Sequence, residues 1–166
     1  ASAEQRMQML KLAISGNPCF VLDQREILRE GASYTVDSLN AIRAEVGGKR
    51  PLCLLMGADA FAGLASWHRW NKLFELAHIV VAQRPGFDLR HFQSPLKEEF
   101  AKRRAKSPRA ARDKPCGAII VLEVTPVDIS ASMIRERLAG GKDVRDLLPG
   151  LVLDYIQAEG LYHGGG

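Results

Sequence analysis

Four short apolar runs limit the folds that this chain can adopt. They cover residues 19–22, 52–56, 79–82 and 118–124, and segments with a helical spacing of apolar residues lie between them. A strand that is apolar at nearly every position is buried on both faces, which is typical of parallel sheets covered by helices. The alternation therefore predicts an α/β protein with a doubly wound, mostly parallel sheet.

Helix start signals precede the segments between these runs. Ser2 and Gln5 have the spacing of a capping box, and Thr35 is the predicted N-cap of the next helix. A last helix is predicted over residues 149–158. Since 166 residues are enough for one hydrophobic core, we expect a single domain over residues 1–166.

Composition excludes several classes of protein. Apolar residues make up 46% of the chain and charged residues 25%, which is typical of soluble globular proteins, and no apolar run is long enough to span a bilayer. We therefore expect a cytoplasmic protein without a membrane partner. Cys19, Cys53 and Cys116 are predicted to be small core residues, and neither they nor the scattered histidines have the spacing of a metal site.

The net charge of +4 originates in one basic segment, residues 102–114. Its basic residues are Lys102, Arg103, Arg104, Lys106, Arg109, Arg112 and Lys114. No aromatic residue alternates with these charges to stack on bases, so we interpret the segment as a solvated helix end and loop. The sequence predicts no nucleic-acid partner.

Residues 129–138 combine hydroxyl and guanidinium groups at the start of a predicted helix. A helix start exposes unpaired backbone N–H groups and the positive end of the helix dipole, so Ser130, Ser132 and Arg135 could complete a phosphate site. Serine is also a common N-cap, and Ile134 fits an apolar stripe that faces a core. The motif alone supports both interpretations equally.

Further candidate positions follow the predicted strands, because ligands of such sheets bind outside the carboxyl ends of the strands. Gly57 and Asp59 follow the second run, where glycine lets a ligand approach the backbone and a carboxylate can accept hydrogen bonds from ribose hydroxyls. A turn glycine followed by an N-cap aspartate is the alternative. Arg84 follows the third run as a positive charge beside a proline turn.

Two clusters of aromatic and polar residues lie elsewhere in the chain. Trp67 and His68 are adjacent, and an indole stacks well on a planar base or pyridine ring, although a tryptophan can equally be a core anchor. Tyr34 and Thr35 lie at a predicted helix start, where hydroxyls and free N–H groups could bind a carboxylate. Capping alone would explain Thr35.

Taken together, these motifs resemble bacterial nicotinate-mononucleotide adenylyltransferases. The resemblance is carried in order by residues 33–35, 57–59, 66–68, 84–85 and 129–135, and it continues to residues 147–149 and 160–162. It implies a Rossmann-like sheet of the nucleotidyltransferase type. It also implies an enzyme of NAD biosynthesis that joins ATP to nicotinate mononucleotide, giving nicotinate adenine dinucleotide and pyrophosphate.

The resemblance also implies a division of the site. Nicotinate mononucleotide would be bound by Tyr34, Thr35, Trp67, His68 and Arg84, with Trp67 stacked on the pyridine ring and its carboxylate near Thr35 and the backbone of His68. ATP would be bound by Gly57, Asp59, Ser130, Ser132, Ile134 and Arg135. Mg²⁺ would be carried by the ATP phosphates, and the sequence leaves open whether the protein forms a homo-oligomer.

The chain departs from this family in one motif. The family carries a glycine-rich turn and a His-x-Gly-His pair after its first strand, whereas no two histidines here lie within three residues of each other. We therefore expect no catalytic histidine among these residues, and we expect the chain to be a fragment that lacks the N-terminal βα unit. A non-catalytic nucleotide-binding fragment, or an adenylyltransferase for another phosphorylated acceptor such as pantetheine phosphate, are the alternatives. Ser132 stands where the family more often has threonine, which keeps a hydroxyl.

Overall fold

The computed structural model describes residues 1–83, 93–125 and 127–162. They form two compact units. One unit combines Ala1–Leu28 with Val127–Gly166, and the other is Arg29–Pro126. We call them the terminal unit and the sheet unit. The single domain expected over residues 1–166 stays a prediction.

The described residues of the sheet unit form three parallel strands in the order β1-β2-β3. They are β1 Cys53–Gly57, β2 His78–Gln83 and β3 Ile119–Glu123. In the register, Leu55 is the partner of Val80, and Val80 is the partner of Ile120. Each strand coincides with one of the predicted apolar runs, which confirms the predicted parallel α/β architecture.

Helices connect these strands and cover the sheet. They are α2 Thr35–Val46, α3 Ala58–Ala62, α4 Leu73–Leu76, α5 Leu96–Arg103 and α6 Ala110–Asp113, with 3-10 turns at Leu64–Ser66 and Trp70–Lys72. A hydrophobic core lies between the helices and the sheet. Its fully buried side chains include Phe61, Leu64, Leu73, Ile79 and Ile119. Burial of these large side chains stabilises the unit, since each contributes about 1.5–3 kcal/mol.

A single arginine forms hydrogen bonds with the backbone of several loops in the sheet unit. The guanidinium of Arg43, in α2, donates to the backbone carbonyls of Leu76, Pro115, Gly47 and Arg50. The carbonyls of Leu76 and Pro115 precede the starts of β2 and β3. Arg43 therefore fixes the end of the sheet at which its strands begin.

The terminal unit consists of helices around a second apolar core. The helices are α1 Ala3–Ile14, α7 Ala131–Ala139 and α8 Gly150–Ala158. The predicted capping box begins α1, with Ser2 and Gln5 exchanging side-chain to backbone hydrogen bonds of 2.8 and 3.1 Å. Leu138, Val152 and Ile156 are buried in the core of this unit.

The prediction of a strand over residues 19–22 is wrong. This segment is irregular, and its Val21 is 88% exposed. Asn17 makes a local turn here, because its side chain accepts from the backbone N–H of Cys19 and its carbonyl accepts from that of Phe20. The placement of the cysteines in a core is wrong as well, since Cys19 and Cys53 are exposed and Cys116 is half-buried.

Candidate functional site

Two of the predicted motifs meet in one cavity of the sheet unit. The cavity has a volume of about 310 Å³ and is lined by Ser33, Tyr34, Thr35, Ser66, Trp67 and His68. Residues 33–35 and 66–68 are far apart in sequence, so the fold has brought them together. We call this cavity the aromatic–hydroxyl pocket. Its size and its mixture of aromatic and hydroxyl groups suit a small planar ligand with a polar substituent.

The start of α2 positions one side of this pocket. Tyr34 is the N-cap residue of α2, with extended backbone angles, and its side chain makes no capping hydrogen bond. The predicted cap at Thr35 is therefore wrong by one residue. Thr35 is the first residue of the helix and lines the pocket, so capping does not explain the presence of a hydroxyl side chain at this position.

The loop after α3 positions the other side of the pocket. Leu64 is fully buried at the start of a 3-10 turn, and the backbone N–H of Trp67 donates to its carbonyl at 3.0 Å. Trp67 is half-buried and packs partly against the core, whereas His68 is exposed. Trp67 therefore contacts the core, as a core anchor would, and it also lines the pocket. Its stacking on a ligand ring stays a prediction.

Two pocket residues lay outside the predicted set. Ser33 belongs to the hydroxyl motif at the predicted helix start and Ser66 to the motif that contains Trp67, but neither serine is among the residues assigned to a ligand. The hydroxyl of Ser66 donates to the Gly63 carbonyl at 2.8 Å, which leaves its oxygen available as an acceptor. Arg84 lies outside the residues that the structure describes.

Gly57 and Asp59 lie at the carboxyl end of β1, as predicted. Gly57 is the last residue of β1 and the N-cap of α3, and a Cβ atom there would meet no other protein atom within 4 Å. Packing therefore does not require glycine at this position. Asp59 is exposed in the first turn of α3, and no side chain caps that helix, so the N-cap interpretation of Asp59 is wrong.

The motif at residues 129–138 forms the start of α7. Ser130 is the N-cap, and its Oγ accepts from the backbone N–H of Met133 at 3.1 Å. Arg135 donates through Nη2 to Oγ of Ser132 at 3.2 Å, and all three of these polar side chains are exposed. The capping interpretation of Ser130 is confirmed, and the phosphate interpretation stays a prediction.

A second cavity, of about 410 Å³, lies within the terminal unit. Arg6 and Arg135 contribute to its lining, and the remaining lining is dominated by apolar residues such as Ile134, Leu138 and Val152. Half-buried Ile134 packs against the core of this unit. An apolar lining offers phosphates little stabilisation, so the hydroxyls at the start of α7 are better placed for them than this cavity.

The basic segment begins in the last turn of α5. Arg103 donates to the Glu99 carboxylate and lies over the ring of Phe74, 4.7 Å from its centroid. The hydrogen bond from Arg103 lowers the pKa of Glu99 below its usual value. The remaining basic residues of the segment are exposed.

Metal-binding clusters and membrane-spanning helices are absent from residues 1–83, 93–125 and 127–162. Within these ranges no group of three or more His, Cys, Asp or Glu side chains could hold a metal ion. No helix of the same residues combines the length and the apolar character needed to cross a bilayer.

Comparison with known proteins agrees with the motifs. The model of the cytidylyltransferase-like family matches residues 1–137. A probable nicotinate-nucleotide adenylyltransferase of Dechloromonas aromatica (strain RCB) is 46% identical over 163 residues, which cover 97% of this chain and 75% of the relative. Another, of Yersinia pestis (strain Pestoides F), is 39% identical over 164 residues, covering 99% and 74%.

Solved structures share the fold. The nicotinic acid mononucleotide adenylyltransferase of Plasmodium falciparum, complexed with APC, superposes with a TM-score of 0.61 at 18% identity, covering 98% of this chain and 76% of that one. The same enzyme complexed with NaAD gives the same TM-score. The resemblance predicted from the motifs is confirmed: the chain belongs to the nicotinate-nucleotide adenylyltransferase family, within the cytidylyltransferase-like proteins.

Proposed function

We propose that this chain serves adenylyl transfer from ATP to nicotinate mononucleotide, giving nicotinate adenine dinucleotide and pyrophosphate. The observation that carries the proposal is the aromatic–hydroxyl pocket, in which the two motifs assigned to the mononucleotide line one cavity. Family membership supports the same reaction.

The pocket offers the groups that a pyridine carboxylate needs. The indole of Trp67 would stack on the pyridine ring, and half-burial against the core holds the indole in place. The hydroxyl of Thr35 and the first backbone N–H groups of α2 would donate to the carboxylate. We place the mononucleotide phosphate near Arg84, as the family resemblance implies.

The ATP side of the reaction would use other residues. Open space above Gly57 suits close approach of a ribose to the backbone, and the exposed Asp59 carboxylate would accept from its hydroxyls. Ser132 and Arg135 would donate to the ATP phosphates at the start of α7, and Ile134 would support that turn from the core side. Ser130 would act mainly by capping the helix. Mg²⁺ would arrive with the ATP phosphates as part of the substrate.

The chemistry requires no nucleophile from the protein. A phosphate oxygen of the mononucleotide attacks the α-phosphorus of ATP, the bond to the bridging oxygen breaks, and pyrophosphate leaves with the electron pair. The protein contributes by aligning the two substrates and by neutralising the charge that develops on the phosphates. Arg135 is the side chain at the start of α7 that supplies positive charge.

An assay of pyrophosphate release tests the proposal. The chain is assayed with ATP and nicotinate mononucleotide, beside a version extended at its N-terminus by a βα unit carrying a glycine-rich turn and a His-x-Gly-His pair. Turnover by either version supports the proposal. Failure of both to turn over, with both folded, contradicts it.

Calorimetry on the same two proteins separates the alternatives. Binding of ATP or of the mononucleotide without turnover by either version would favour a non-catalytic nucleotide-binding fragment. Turnover with pantetheine phosphate but not with the mononucleotide would favour the related transferase. The second outcome is not expected, because the Trp67 indole could not stack on an acceptor that lacks an aromatic ring.

A further inference from the structure

A further cavity of the sheet unit lies at the end of the sheet at which the strands begin. Its volume is about 460 Å³, and its lining includes residues 116–118, which lead directly into β3, and the last turn of α5. Gly57 and Asp59 lie at the carboxyl end of β1, which is the opposite end of this parallel sheet. The cavity shares no residue with the aromatic–hydroxyl pocket, and we call it the basic cavity.

Positive side chains dominate the polar lining of the basic cavity. Lys102, Arg103 and Lys114 contribute to it, and among its described lining residues there is no aspartate or glutamate. Glu99 forms ion pairs with two of these cations, because Arg103 donates to its carboxylate and Nζ of Lys102 lies 3.7 Å from its Oε1. In the part of the chain that the structure describes, Lys114 has no ion-pair partner. One paired carboxylate therefore leaves an excess of positive charge at the cavity.

Arg103 is held in a fixed position at this cavity. Its guanidinium lies over the ring of Phe74, 4.7 Å from the centroid, and its Nη1 donates to the carbonyl of Gly117 at 3.3 Å. Its Nε donates to Glu99. These contacts occupy Nε and Nη1, so the N–H groups of Nη2 have no acceptor within the described residues and remain available to a ligand.

The wall formed by residues 115–118 is also fixed, and it requires a glycine. The N–H of Gly117 donates to the carbonyl of Ala77 at 3.1 Å, and the carbonyl of Pro115 accepts from the N–H of Leu52 at 3.1 Å. Gly117 has a φ of 96°, and a Cβ there would lie 3.6 Å from Nη1 of Arg103. A larger residue would therefore be strained and would crowd the guanidinium.

These groups suit a phosphate better than a nucleic-acid base. The Phe74 ring is buried and covered by Arg103, so it offers no surface on which a base could stack. Ammonium and guanidinium groups form short, charge-assisted hydrogen bonds with phosphate oxygens. A cavity of 460 Å³ has the size of a small-molecule site.

We propose that the basic cavity binds the phosphate or diphosphate group of a small molecule through Arg103, Lys102 and Lys114. The site goes beyond the proposed function, because no residue assigned to ATP or to the mononucleotide lines it. Arg103 supplies a fixed guanidinium fork, and the two exposed lysines close on the anion from the rim.

Cys116 provides a reporter inside the basic cavity, since its free thiol is half-buried there. Iodoacetate and iodoacetamide alkylate the same thiolate, but iodoacetate carries a negative charge. Peptide mass spectrometry of the full chain measures both rates at Cys116 and at the exposed Cys19. At low salt we expect the ratio of the iodoacetate rate to the iodoacetamide rate to be at least about 3-fold higher at Cys116.

Inorganic pyrophosphate is the binding probe. We expect saturating pyrophosphate to slow iodoacetamide alkylation of Cys116 by at least about 5-fold, whereas potassium chloride at the same ionic strength should change it by less than about 2-fold. The double variant Lys102→Gln/Lys114→Gln should need at least about 5-fold more pyrophosphate for half-protection. Lys106→Gln/Arg112→Gln is the matched control, because it removes the same charge from exposed positions outside the cavity lining.

The parent chain alone can overturn the proposal. Absence of protection by pyrophosphate, or equal protection by potassium chloride, would show that the cavity does not bind the anion. An equal shift in the two double variants would show that overall charge, and not the basic cavity, attracts pyrophosphate. Thermal unfolding of both variants without pyrophosphate identifies a loss of folding. Pyrophosphate bound at the start of α7 leaves Cys116 reactive, so this outcome is independent of the proposed function.

Discussion

The imidazole of His78 accepts a hydrogen bond through Nδ1 from the backbone N–H of Ala118, 3.1 Å away. Its other nitrogen, Nε2, lies 2.8 Å from the carbonyl of Lys114 and donates to it. His78 is fully buried at the start of β2, and Ala118 directly precedes β3. One side chain therefore satisfies a donor and an acceptor in the segment that enters β3.

Replacement of His78 by phenylalanine is expected to destabilise the protein by about 2–4 kcal/mol. The phenyl ring occupies approximately the volume of the imidazole, but the Ala118 N–H and the Lys114 carbonyl lose their hydrogen-bond partner inside the protein. Urea unfolding of the parent and of H78F measures the difference. His68→Phe is the matched control and should change the free energy of unfolding by less than about 0.5 kcal/mol, since His68 is exposed. Equal stability of H78F and parent would contradict this interpretation.

Replacement of the two serines at the start of α7 should affect different properties: stability for Ser130 and ATP binding for Ser132. Ser130→Ala is expected to lower the free energy of unfolding by about 1 kcal/mol, because the N–H of Met133 loses its capping acceptor. Ser130→Asp should retain most of the stability. Ser132→Ala should leave stability unchanged and should weaken ATP binding, measured by calorimetry. A loss of stability in S132A larger than in S130A would contradict these roles.

Replacement of Trp67 by alanine is expected to weaken binding of nicotinate mononucleotide by about 1–3 kcal/mol, in analogy with base stacking on aromatic side chains. Trp67→Phe should restore part of the affinity because a ring remains available. ATP affinity, measured on the same preparations, should stay within a factor of about 2 of the parent. Equal loss of both affinities would point to a structural role for Trp67 instead.

The ion pair in α5 predicts a dependence of stability on pH. Arg103 lowers the pKa of Glu99, so the pair stabilises the folded chain fully above the carboxyl's unfolded pKa. This contribution is lost as the pH falls below about 4 and Glu99 becomes protonated. Because the pair is near the surface, we expect at most about 1 kcal/mol between parent and Glu99→Gln at pH 7.

Urea titrations at pH 7 and pH 3 measure this difference. It should shrink at pH 3, and also in 1 M salt at pH 7. Lys72→Ala, which removes a similar exposed pair with Glu75, is the control and should show a smaller change, since the carboxyl and ammonium groups of that pair are more exposed. A difference in Glu99→Gln that grows as the pH falls would contradict the sign of the effect.

The sequence predicted the elements whose signal is local. Three strands followed from apolar runs, and the caps at Ser2 and Ser130 followed from hydroxyls at the right spacing. Residues 19–22 look the same by composition, but an apolar run becomes a strand only where a neighbouring strand supplies hydrogen bonds. Asn17 instead directs the backbone there into a turn.

Contacts between distant residues were beyond the reach of local patterns. The ring pair of Tyr34 and His68 joins residues on different elements, and neither motif carries a signal for the other. Arg43 donates hydrogen bonds to backbone carbonyls. Because every residue has a backbone carbonyl, no sequence pattern predicts which ones Arg43 contacts. The family resemblance supplies part of this information, because it assigns the motifs at residues 33–35 and 66–68 to one ligand.

Among the residues that the structure describes, two tripeptides line the aromatic–hydroxyl pocket, and both belong to the sheet unit. The helix start proposed for the ATP phosphates belongs to the terminal unit. Substitutions at these few positions can therefore change which acceptor the pocket binds, while the residues proposed to bind the ATP phosphates remain the same.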